Sequence, residues 1–337
     1  MDYKSAGVNI DKADALVERI TSMAKSTYIK GVLEGIGGFG ALFELKDYRN
    51  PVLVSSTDGV GTKVIIANEL KKYGELGFDL VAMCVDDVVC TGGKPLFFLD
   101  YIAVGKLNED VYLQILQSIA AACQFAECAL IGGETAEQPD VYPPDGFDLA
   151  GFSVGVVERN EILSKERVRK GDALIGLASS GFHSNGYSLI RKVVRDKGLS
   201  YLENYGFGRL GDVLLTPTEI YSPIIVKALK RFKKHIHSIA HITGGGIEGN
   251  LSRVLPGDVD GIIQKSSWKR RPEMDFIIKM GDIDESEAYR VFNMGIGMIL
   301  VVSDRKKNEI LQFFNDNTYK SYLIGEVVEG SGKVKLV

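Results

Sequence analysis

One short loop constrains the fold of this chain more than any other feature. Residues 58–63 read DGVGTK, and the apolar run just before them, PVLVSS at 51–56, predicts a short buried strand. Asp58 therefore falls where a strand ends and the backbone turns outward. Because glycines lack Cβ, their backbone N–H groups can approach a phosphate closely. The segment predicts a strand followed by a tight loop suited to the phosphates of a nucleotide.

Mg²⁺ prefers a carboxylate together with phosphate oxygens, so Asp58 is a candidate metal ligand and catalytic residue, and Lys63 can act as a point charge on the phosphates. The spacing is not that of a P-loop. Taken alone, an Asp-Gly pair is more often an ordinary turn. With a glycine-rich segment nearer the N terminus included, the predicted nucleotide-binding residues are Gly37, Gly38, Gly59, Gly61, Thr62 and Lys63.

Two further segments contain carboxylates that, like Asp58, are candidate metal ligands. Asp86 and Asp87 end the run MCVDD, which reads as part of an apolar helix, and a carboxylate that faces inward there needs a partner such as a metal ion. Glu134 follows a short apolar strand in IGGETAE. We predict Asp58, Asp86 and Glu134 as Mg²⁺ ligands, while a solvated helix face remains an alternative for Asp87.

Two loops in the second half of the chain are candidate substrate sites. The run SSGFHSNGY at 179–187 predicts a strand-to-helix turn whose small polar residues can present N–H groups to an anion. His183 in this turn is a candidate catalytic residue, although a lone histidine is often structural. A glycine triplet at 244–246 is a second possible anion-binding turn. The predicted substrate-binding residues are Ser184, Asn185, Gly244, Gly245 and Gly246.

Length and composition limit the class of protein. A chain of 337 residues fits two domains, and polar sequence at 158–172 predicts a boundary that gives domains at 1–165 and 166–337. The net charge of −4 argues against a nucleic-acid partner. A charged N-terminal segment without an apolar stretch, and no run long enough to span a membrane, predict a cytoplasmic protein. Four cysteines without paired spacing predict reduced, mostly buried thiols.

Alternating helical and extended patterns predict an α/β fold with mixed, α+β-like sheets rather than purely parallel ones. Asn9 and Asn108 are predicted to cap helices. The other predicted helices and strands are helices at 77–89, 184 onward, 218–232 and 305–315, and strands at 41–45, 52–55, 96–104, 129–131, 149–157, 173–178, 296–302 and 322–328.

Seven motifs in this order resemble the aminoimidazole ribonucleotide synthetase family, also called phosphoribosylformylglycinamidine cyclo-ligase. The resemblance spans nearly the whole chain, from YKSAGVNID at Tyr3 to FNMGIGM at Phe292. Its motifs are SSTDGVGTK from Ser55, DLVAMCVDD from Asp79, PLFFLDY from Pro95, LIGGETAE from Leu130, DLAGFSVGVVE from Asp148, SSGFHSNGYSL from Ser179 and HITGGG from His241.

The resemblance implies a homodimer in which N-terminal domains of two subunits form a shared β-barrel. It also implies the reaction: ATP, with Mg²⁺, activates the formyl amide oxygen of formylglycinamidine ribonucleotide, and the amidine nitrogen then closes the five-membered ring. In this family Asn-Asp is common where this chain has Asp86-Asp87. Which of the two touches metal is therefore open, as is the choice between proton transfer and hydrogen bonding for His183.

Two other functions remain open from the sequence. A kinase of the same superfamily, similar to thiamine-monophosphate kinase, would share the metal-binding carboxylates and differ in the acceptor of the phosphate. A regulatory nucleotide-binding subunit would keep the ATP site without turnover. Other members, selenophosphate synthetase and a hydrogenase-maturation dehydratase, are disfavoured because residues 31–40 contain no cysteine and the chain ends KVKLV.

Overall fold

The computed structural model of the protein describes residues 10–337, with side chains from residue 18 onward. Contacts divide the described chain into two compact units. The first comprises the residues up to Val88 together with Lys94–Arg159, and the second comprises Val89–Gly93 together with Asn160–Val337. The predicted mixed α/β class is confirmed, while the boundary placed after residue 165 stays a prediction.

The first unit combines a mixed sheet with helices. Its elements, in chain order, are α1 (Ile10–Lys25), β1 (Val32–Glu34), β2 (Leu42–Phe43), β3 (Pro51–Gly59), α2 (Lys63–Leu70), α3 (Leu76–Cys90), β4 (Lys94–Val104), α4 (Glu109–Phe125), β5 (Ala129–Glu137) and β6 (Phe147–Glu158). The Oδ1 atom of Asn108 accepts hydrogen bonds from Asp110 N (3.2 Å) and Val111 N (3.3 Å), which confirms this cap of α4. Asn9, the other predicted cap, lies outside the described residues.

Four strands of this unit form one sheet in the order β3-β6-β4-β5. The first two pairings are antiparallel and the β4–β5 pairing is parallel, so the sheet is mixed. Residues paired across strands share a face, and successive residues alternate faces. One row across the sheet runs from Asp58 through Gly151 and Asp100 to Gly133.

The two faces of this sheet differ in burial. On the face that carries Asp100, Phe98 and Ile102 are fully buried. On the opposite face, large apolar side chains are exposed to solvent: Leu53 by 66%, Phe152 by 41% and Tyr101 by 37%. These side chains share one face of the sheet, whereas apolar residues on an ordinary protein surface are scattered singly. A shared apolar face of this kind is typical of an interaction surface.

Helix α2 was not predicted. Its sequence KVIIANEL lacks a polar stripe, and Val64, Ile66 and Ala67 are buried. Because a short apolar run does not distinguish a buried helix from a buried strand, periodicity alone could not identify it. The helix begins at Lys63, so the predicted nucleotide loop lies between the end of β3 and the start of α2.

The second unit contains a six-stranded sheet in the order β12-β9-β11-β7-β10-β8, in which the β12–β9 pairing is parallel and the others are antiparallel. Its elements are β7 (Ala173–Ala178), α5 (Tyr187–Asp196), α6 (Leu210–Leu214), α7 (Ser222–Phe232), β8 (Ile236–His241), α8 (Gly246–Leu251), β9 (Val259–Ile263), α9 (Pro272–Gly281), α10 (Glu285–Val291), β10 (Ile296–Val302), α11 (Lys307–Asp316), β11 (Ser321–Glu329) and β12 (Val334–Leu336). Strand β8 was missed because its histidines follow a lysine-rich stretch.

All four cysteines are free, and Cys84, Cys123 and Cys128 are buried while Cys90 is half-buried. Burial raises the pKa of each of the three buried thiols. The prediction of reduced, mostly buried thiols is consistent with this placement. Among the described residues, no helix combines the length and the apolar character needed to cross a membrane.

Candidate functional site

Asp58 and Asp87 lie close to the same buried thiol. Asp58 is exposed near the end of β3, and its backbone oxygen lies 4.0 Å from the Sγ atom of Cys84 on α3. Two residues before Asp58, and so on the same face of β3, Ser56 donates a hydrogen bond from Oγ to Oδ2 of Asp87 at 3.4 Å. Helix α3 therefore brings the Asp87 carboxylate to the strand that carries Asp58.

Asp86 occupies a different position. It is fully buried in α3, whereas Asp87 is half-buried. Asp79, seven residues earlier and therefore on the same side of the helix, is also fully buried. The structure thus directs Asp86 into the interior and Asp87 towards β3, a difference that an apolar helical pattern with adjacent aspartates could not predict.

Lys63, predicted to contact phosphate, lies in the interior of the first unit. Its side chain has no exposed surface, and its Nζ lies 2.8 Å from Oδ1 of Asp79, whose side chain is also fully buried. Burial lowers the pKa of Lys63, while the charge and hydrogen bond of Asp79 raise it. The lysine is thus engaged by a carboxylate of α3 and does not project into solvent.

The loop between β3 and α2 is fixed at both ends. At its start, Val60 N donates to Leu149 O at 3.3 Å, which continues the pairing of β3 with β6. At its end, Val64 N donates to Gly61 O at 3.3 Å. Gly61 has φ +68°, a left-handed conformation that glycine adopts without a Cβ penalty. The loop geometry is thus compatible with the close phosphate approach predicted for it.

Glu134 lines a separate cavity of about 480 Å³ at the other edge of the same sheet. The prediction placed Glu134 after a strand, but β5 continues to Glu137 and Glu134 is exposed within it. Gly37 and Gly38 line the same cavity, as does Asp100. Burial raises the pKa of Asp100 to about 7.

The sheet register separates these two groups of residues. Glu134 pairs with Tyr101, one position beyond the row of Asp58, so it points to the opposite face. Three inter-strand spacings place the β3 and β5 edges roughly 14 Å apart. Among the described residues, no three His, Cys, Asp or Glu side chains are grouped closely enough to hold a metal ion. Asp58, Asp86 and Glu134 therefore do not converge within one chain.

In the second unit, His183 is part of the internal structure of its turn. The residue is fully buried with φ +58°, and its Nε2 accepts a hydrogen bond from Ser180 N at 3.2 Å. This contact assigns the proton of a neutral ring to Nδ1. Outside glycine, a positive φ is uncommon and needs support from its surroundings. The catalytic role predicted for His183 stays a prediction.

The two loops predicted to bind substrate do meet. Oδ1 of Asn185 lies 3.6 Å from the position that a Cβ atom on Gly244 would occupy. The Nδ2 atom of Asn185 is buried and has no hydrogen-bond partner among the described residues. A buried amide donor without a partner is costly. It is therefore a suitable contact for an oxygen atom of a ligand held between these loops.

The glycine triplet is shaped by a residue that sequence reasoning missed. Nδ2 of buried Asn250 donates to Gly246 O at 2.8 Å and to the carbonyl oxygens of Thr243 and Gly244, each at 3.2 Å. Gly246 has φ +63°, and a Cβ there would lie 1.8 Å from Tyr289 O. The sequence could have indicated this role, because Asn250 lies four residues after the triplet, inside the helix that follows it.

A second missed residue supports the turn of His183. Asn293 is buried, and its Nδ2 donates to Gly181 O at 2.9 Å while its Oδ1 accepts from Ser179 Oγ at 3.1 Å. Asn293 belongs to the FNMGIGM segment, which marks the end of the family resemblance, and no role was predicted for this residue. Its contacts fix the start of the turn that carries Ser184 and Asn185.

Family models match both halves of the chain: the N-terminal domain of AIR synthase related protein matches residues 40–157, and the C-terminal domain matches residues 169–337. A curated protein of Thermoanaerobacter pseudethanolicus, named phosphoribosylformylglycinamidine cyclo-ligase, is 52% identical over 340 residues, which cover 100% of both chains. The chain belongs to the phosphoribosylformylglycinamidine cyclo-ligase family. The family resemblance of the seven motifs is confirmed.

Solved structures place this family member in a wider fold group. A thiamine-monophosphate kinase from Stenotrophomonas maltophilia K279a has a TM-score of 0.66 at 16% identity, covering 96% of this chain and 95% of its own. The hydrogenase maturation protein HypE, solved in complex with ATP, has a TM-score of 0.67 at 16% identity, covering 95% and 90%. At such identities the likeness concerns the fold alone.

The residues of this cyclo-ligase family member fit Mg²⁺ that is bound together with nucleotide phosphates, and they do not fit Mg²⁺ that is bound by protein side chains alone. Asp58 and Asp87 supply carboxylates at one face of β3, and Mg²⁺ needs only one or two of these when phosphates supply further oxygens. A closed cage made by protein side chains alone does not fit, because no three ligands are grouped in the described chain.

Proposed function

We propose that this protein catalyses the ATP-dependent cyclisation of formylglycinamidine ribonucleotide to aminoimidazole ribonucleotide, with release of ADP and phosphate, in purine biosynthesis. The observation that carries this conclusion is the 52% identity, over the full length of both chains, to a protein named phosphoribosylformylglycinamidine cyclo-ligase. The ring closure forms a carbon–nitrogen bond. It requires charge neutralisation and alignment and needs no covalent enzyme nucleophile.

On the nucleotide side, we propose Asp58 and Asp87 as the carboxylates that hold Mg²⁺, in place of the pair Asp58 and Asp86. The support is the common face of Ser56 and Asp58 and the hydrogen bond from Ser56 to Asp87. When bound with ATP, Mg²⁺ supplies electrostatic stabilisation of the transferred phosphoryl group. Backbone N–H groups of Gly61 and Thr62 then orient the phosphates, while Gly59 N donates to Asp58 Oδ1 at 2.8 Å and holds that carboxylate in place. Gly37, Gly38 and Glu134 contribute from the cavity at β5 of a second copy.

On the substrate side, we propose that Ser184, Asn185 and the Gly244–Gly246 turn hold formylglycinamidine ribonucleotide. The buried Nδ2 atom of Asn185 is a donor suited to a substrate oxygen, and the Asn250 amide keeps the glycine turn in shape beside it. His183 contributes through its buried hydrogen bond to Ser180, which sets the direction of the turn. Any proton transfer by His183 would require this buried ring to reach the substrate.

We further propose that the protein is a cytoplasmic homodimer assembled through the exposed face of the four-stranded sheet. Leu53, Phe152 and Tyr101 give that face an apolar surface that water solvates poorly. Closure of two such sheets into one barrel would also cover the outer edges of β3 and β5, the end strands of this sheet. If β3 of one copy lies beside β5 of the other, the Asp58 region and the Glu134 region of different subunits become neighbours.

The activity is tested with purified protein, ATP, Mg²⁺ and formylglycinamidine ribonucleotide. We expect ADP, phosphate and aminoimidazole ribonucleotide to form in equal amounts. A parallel reaction with thiamine monophosphate tests the kinase alternative, for which the fold likeness alone gives support. Phosphorylation of thiamine monophosphate, or nucleotide binding without turnover of either substrate, would overturn the assignment.

A further inference from the structure

Lys63 and Asp79 form an ion pair in the interior of the first unit, and a lysine that contacted nucleotide phosphates would not be expected to be buried there. Lys63 and Asp79 are both without exposed surface, and their charged atoms lie 2.8 Å apart. Removing two charges from water carries a large desolvation penalty, which their attraction offsets only with good geometry. Such a pair is weak evidence for stability, so its position in the fold is the more informative property.

The pair joins α3, which carries the proposed ligand Asp87, to α2, the helix that follows the strand of Asp58. Lys63 is the first residue of α2, directly after the loop that follows Asp58, and Asp79 lies in the first turn of α3, two turns before Asp87. A buried contact between their side chains fixes the end of the loop against α3. Pairing of β3 with β6 fixes the other end of the loop.

We infer that Lys63 and Asp79 are positioning residues that hold the Asp58 loop in register with the Asp87 carboxylate, and that Lys63 does not contact the phosphates of the nucleotide. This inference rests on the proposed function of Asp58 and Asp87. It reverses the role that the sequence predicted for Lys63. The physical reason is that the Lys63 ammonium is buried against the Asp79 carboxylate, so its N–H groups do not face the solvent from which a nucleotide would bind.

The two roles of Lys63 make opposite predictions for the variant Asp79→Asn. If Lys63 contacts phosphate, loss of its carboxylate partner leaves the lysine free for the nucleotide, and affinity for Mg²⁺–ATP is unchanged or increases. If Lys63 is a positioning residue, the loop loses its attachment to α3 and affinity falls. Outer residues that orient metal ligands typically alter metal affinity by about 10- to 100-fold.

A double variant separates positioning from charge. Lys63→Met with Asp79→Leu replaces the pair by apolar side chains of similar volume, which proteins often tolerate where a single replacement is harmful. We expect Lys63→Met and Asp79→Asn each to weaken Mg²⁺–ATP binding by about tenfold and to lower the Tm. The double variant should regain the wild-type Tm and most of the affinity.

The measurements are calorimetric titration of the full-length protein with Mg²⁺–ATP and Mg²⁺–ADP, together with thermal unfolding. The exposed pair Lys170–Glu329, with its charged atoms 2.9 Å apart, provides a matched control, and Lys170→Met with Glu329→Gln should change neither quantity. Unchanged or tighter binding by Asp79→Asn would overturn the inference. So would a double variant that regains its Tm but binds as weakly as Lys63→Met, since the lysine itself would then be the contact.

Nucleotide binding is measured apart from ring closure, so the two proposals fail separately. Wild-type protein that binds Mg²⁺–ATP and shows the expected loss in Asp79→Asn, yet forms no aminoimidazole ribonucleotide, would contradict the proposed function and support the positioning role. If the wild-type protein cyclises its substrate but both single variants bind the nucleotide as tightly as the wild type, the proposed function is supported and the positioning role is contradicted.

Discussion

Ser56 and Asp87 are joined by a hydrogen bond of 3.4 Å from Oγ to Oδ2, which attaches the last turn of α3 to β3 beside Asp58. The bond distinguishes two adjacent aspartates that look alike in the sequence. Asp86, one residue earlier and about 100° around the helix, is fully buried. The assignment of a metal ligand in this segment therefore follows from which side of α3 faces the strand.

The two aspartates are separated by a matched pair of variants. We expect Asp87→Asn to raise the Mg²⁺ concentration needed for half-maximal activity by at least about tenfold, because the variant lacks the negative charge of the carboxylate that binds the metal. Asp86→Asn keeps the shape of a buried side chain and should alter this concentration by less than about threefold. The measurement is a Mg²⁺ titration of product formation, and equal effects of the two variants would contradict the assignment to Asp87.

Mixing two inactive variants tests whether subunits share a site. Asp58→Asn and Glu134→Gln each remove one carboxylate from edges that lie roughly 14 Å apart within one chain. If each site combines Asp58 of one copy with Glu134 of another, co-expression of the two variants gives mixed dimers with one intact site. Activity should then return to about a quarter of wild type for random pairing.

The control for this experiment is co-expression of two differently tagged copies of Asp58→Asn, which should stay inactive. Recovery must coincide with dimers that carry both tags. Absence of activity in such purified mixed dimers would show that the two carboxylates do not act across subunits, while a purely monomeric protein would contradict the proposed homodimer.

Asn185 provides a test of the substrate side. Replacing it by Leu removes the buried donor Nδ2 at similar volume, so we expect the KM for formylglycinamidine ribonucleotide to rise by about 10- to 100-fold, as loss of one hydrogen bond to a buried polar group costs roughly 1–3 kcal/mol. The KM for ATP should remain within about twofold. Steady-state kinetics with each substrate varied in turn would reveal the difference, and a parallel rise in both constants would instead indicate general damage.

Asp100 should give the stability of the protein a specific pH dependence. Burial raises its pKa to about 7 in the folded protein, compared with about 3.9 in an unfolded chain. Because the folded state binds the proton more tightly, this residue contributes stability that is present below about pH 4 and is lost as the pH rises through about 7. In Asp100→Asn this component disappears. Chemical denaturation from pH 4 to 8 should show a flatter profile for the variant, and an identical profile would exclude the contribution.

The sequence alone determined the family, the mixed α/β class and the segments that supply the candidate site. The order of the motifs identified the family. Apolar residues at helical spacing located α4, and a continuous apolar run located β10, because burial leaves a local record in the sequence. The cap at Asn108 was also readable, since its hydrogen bonds reach only two and three residues along the chain. These features depend on residues that are near one another in sequence.

Tertiary structure alone decided which of those residues meet. The burial of Lys63 against Asp79, 16 residues away, could not be read from a DGVGTK loop, because the same lysine would suit a phosphate equally well. The separation of Glu134 from Asp58 depends on a strand order that no local pattern records. Asn185 and Gly244 come together because two loops from distant parts of the chain fold side by side. Sequence specifies the chemistry that a residue can perform, and long-range packing specifies its neighbours.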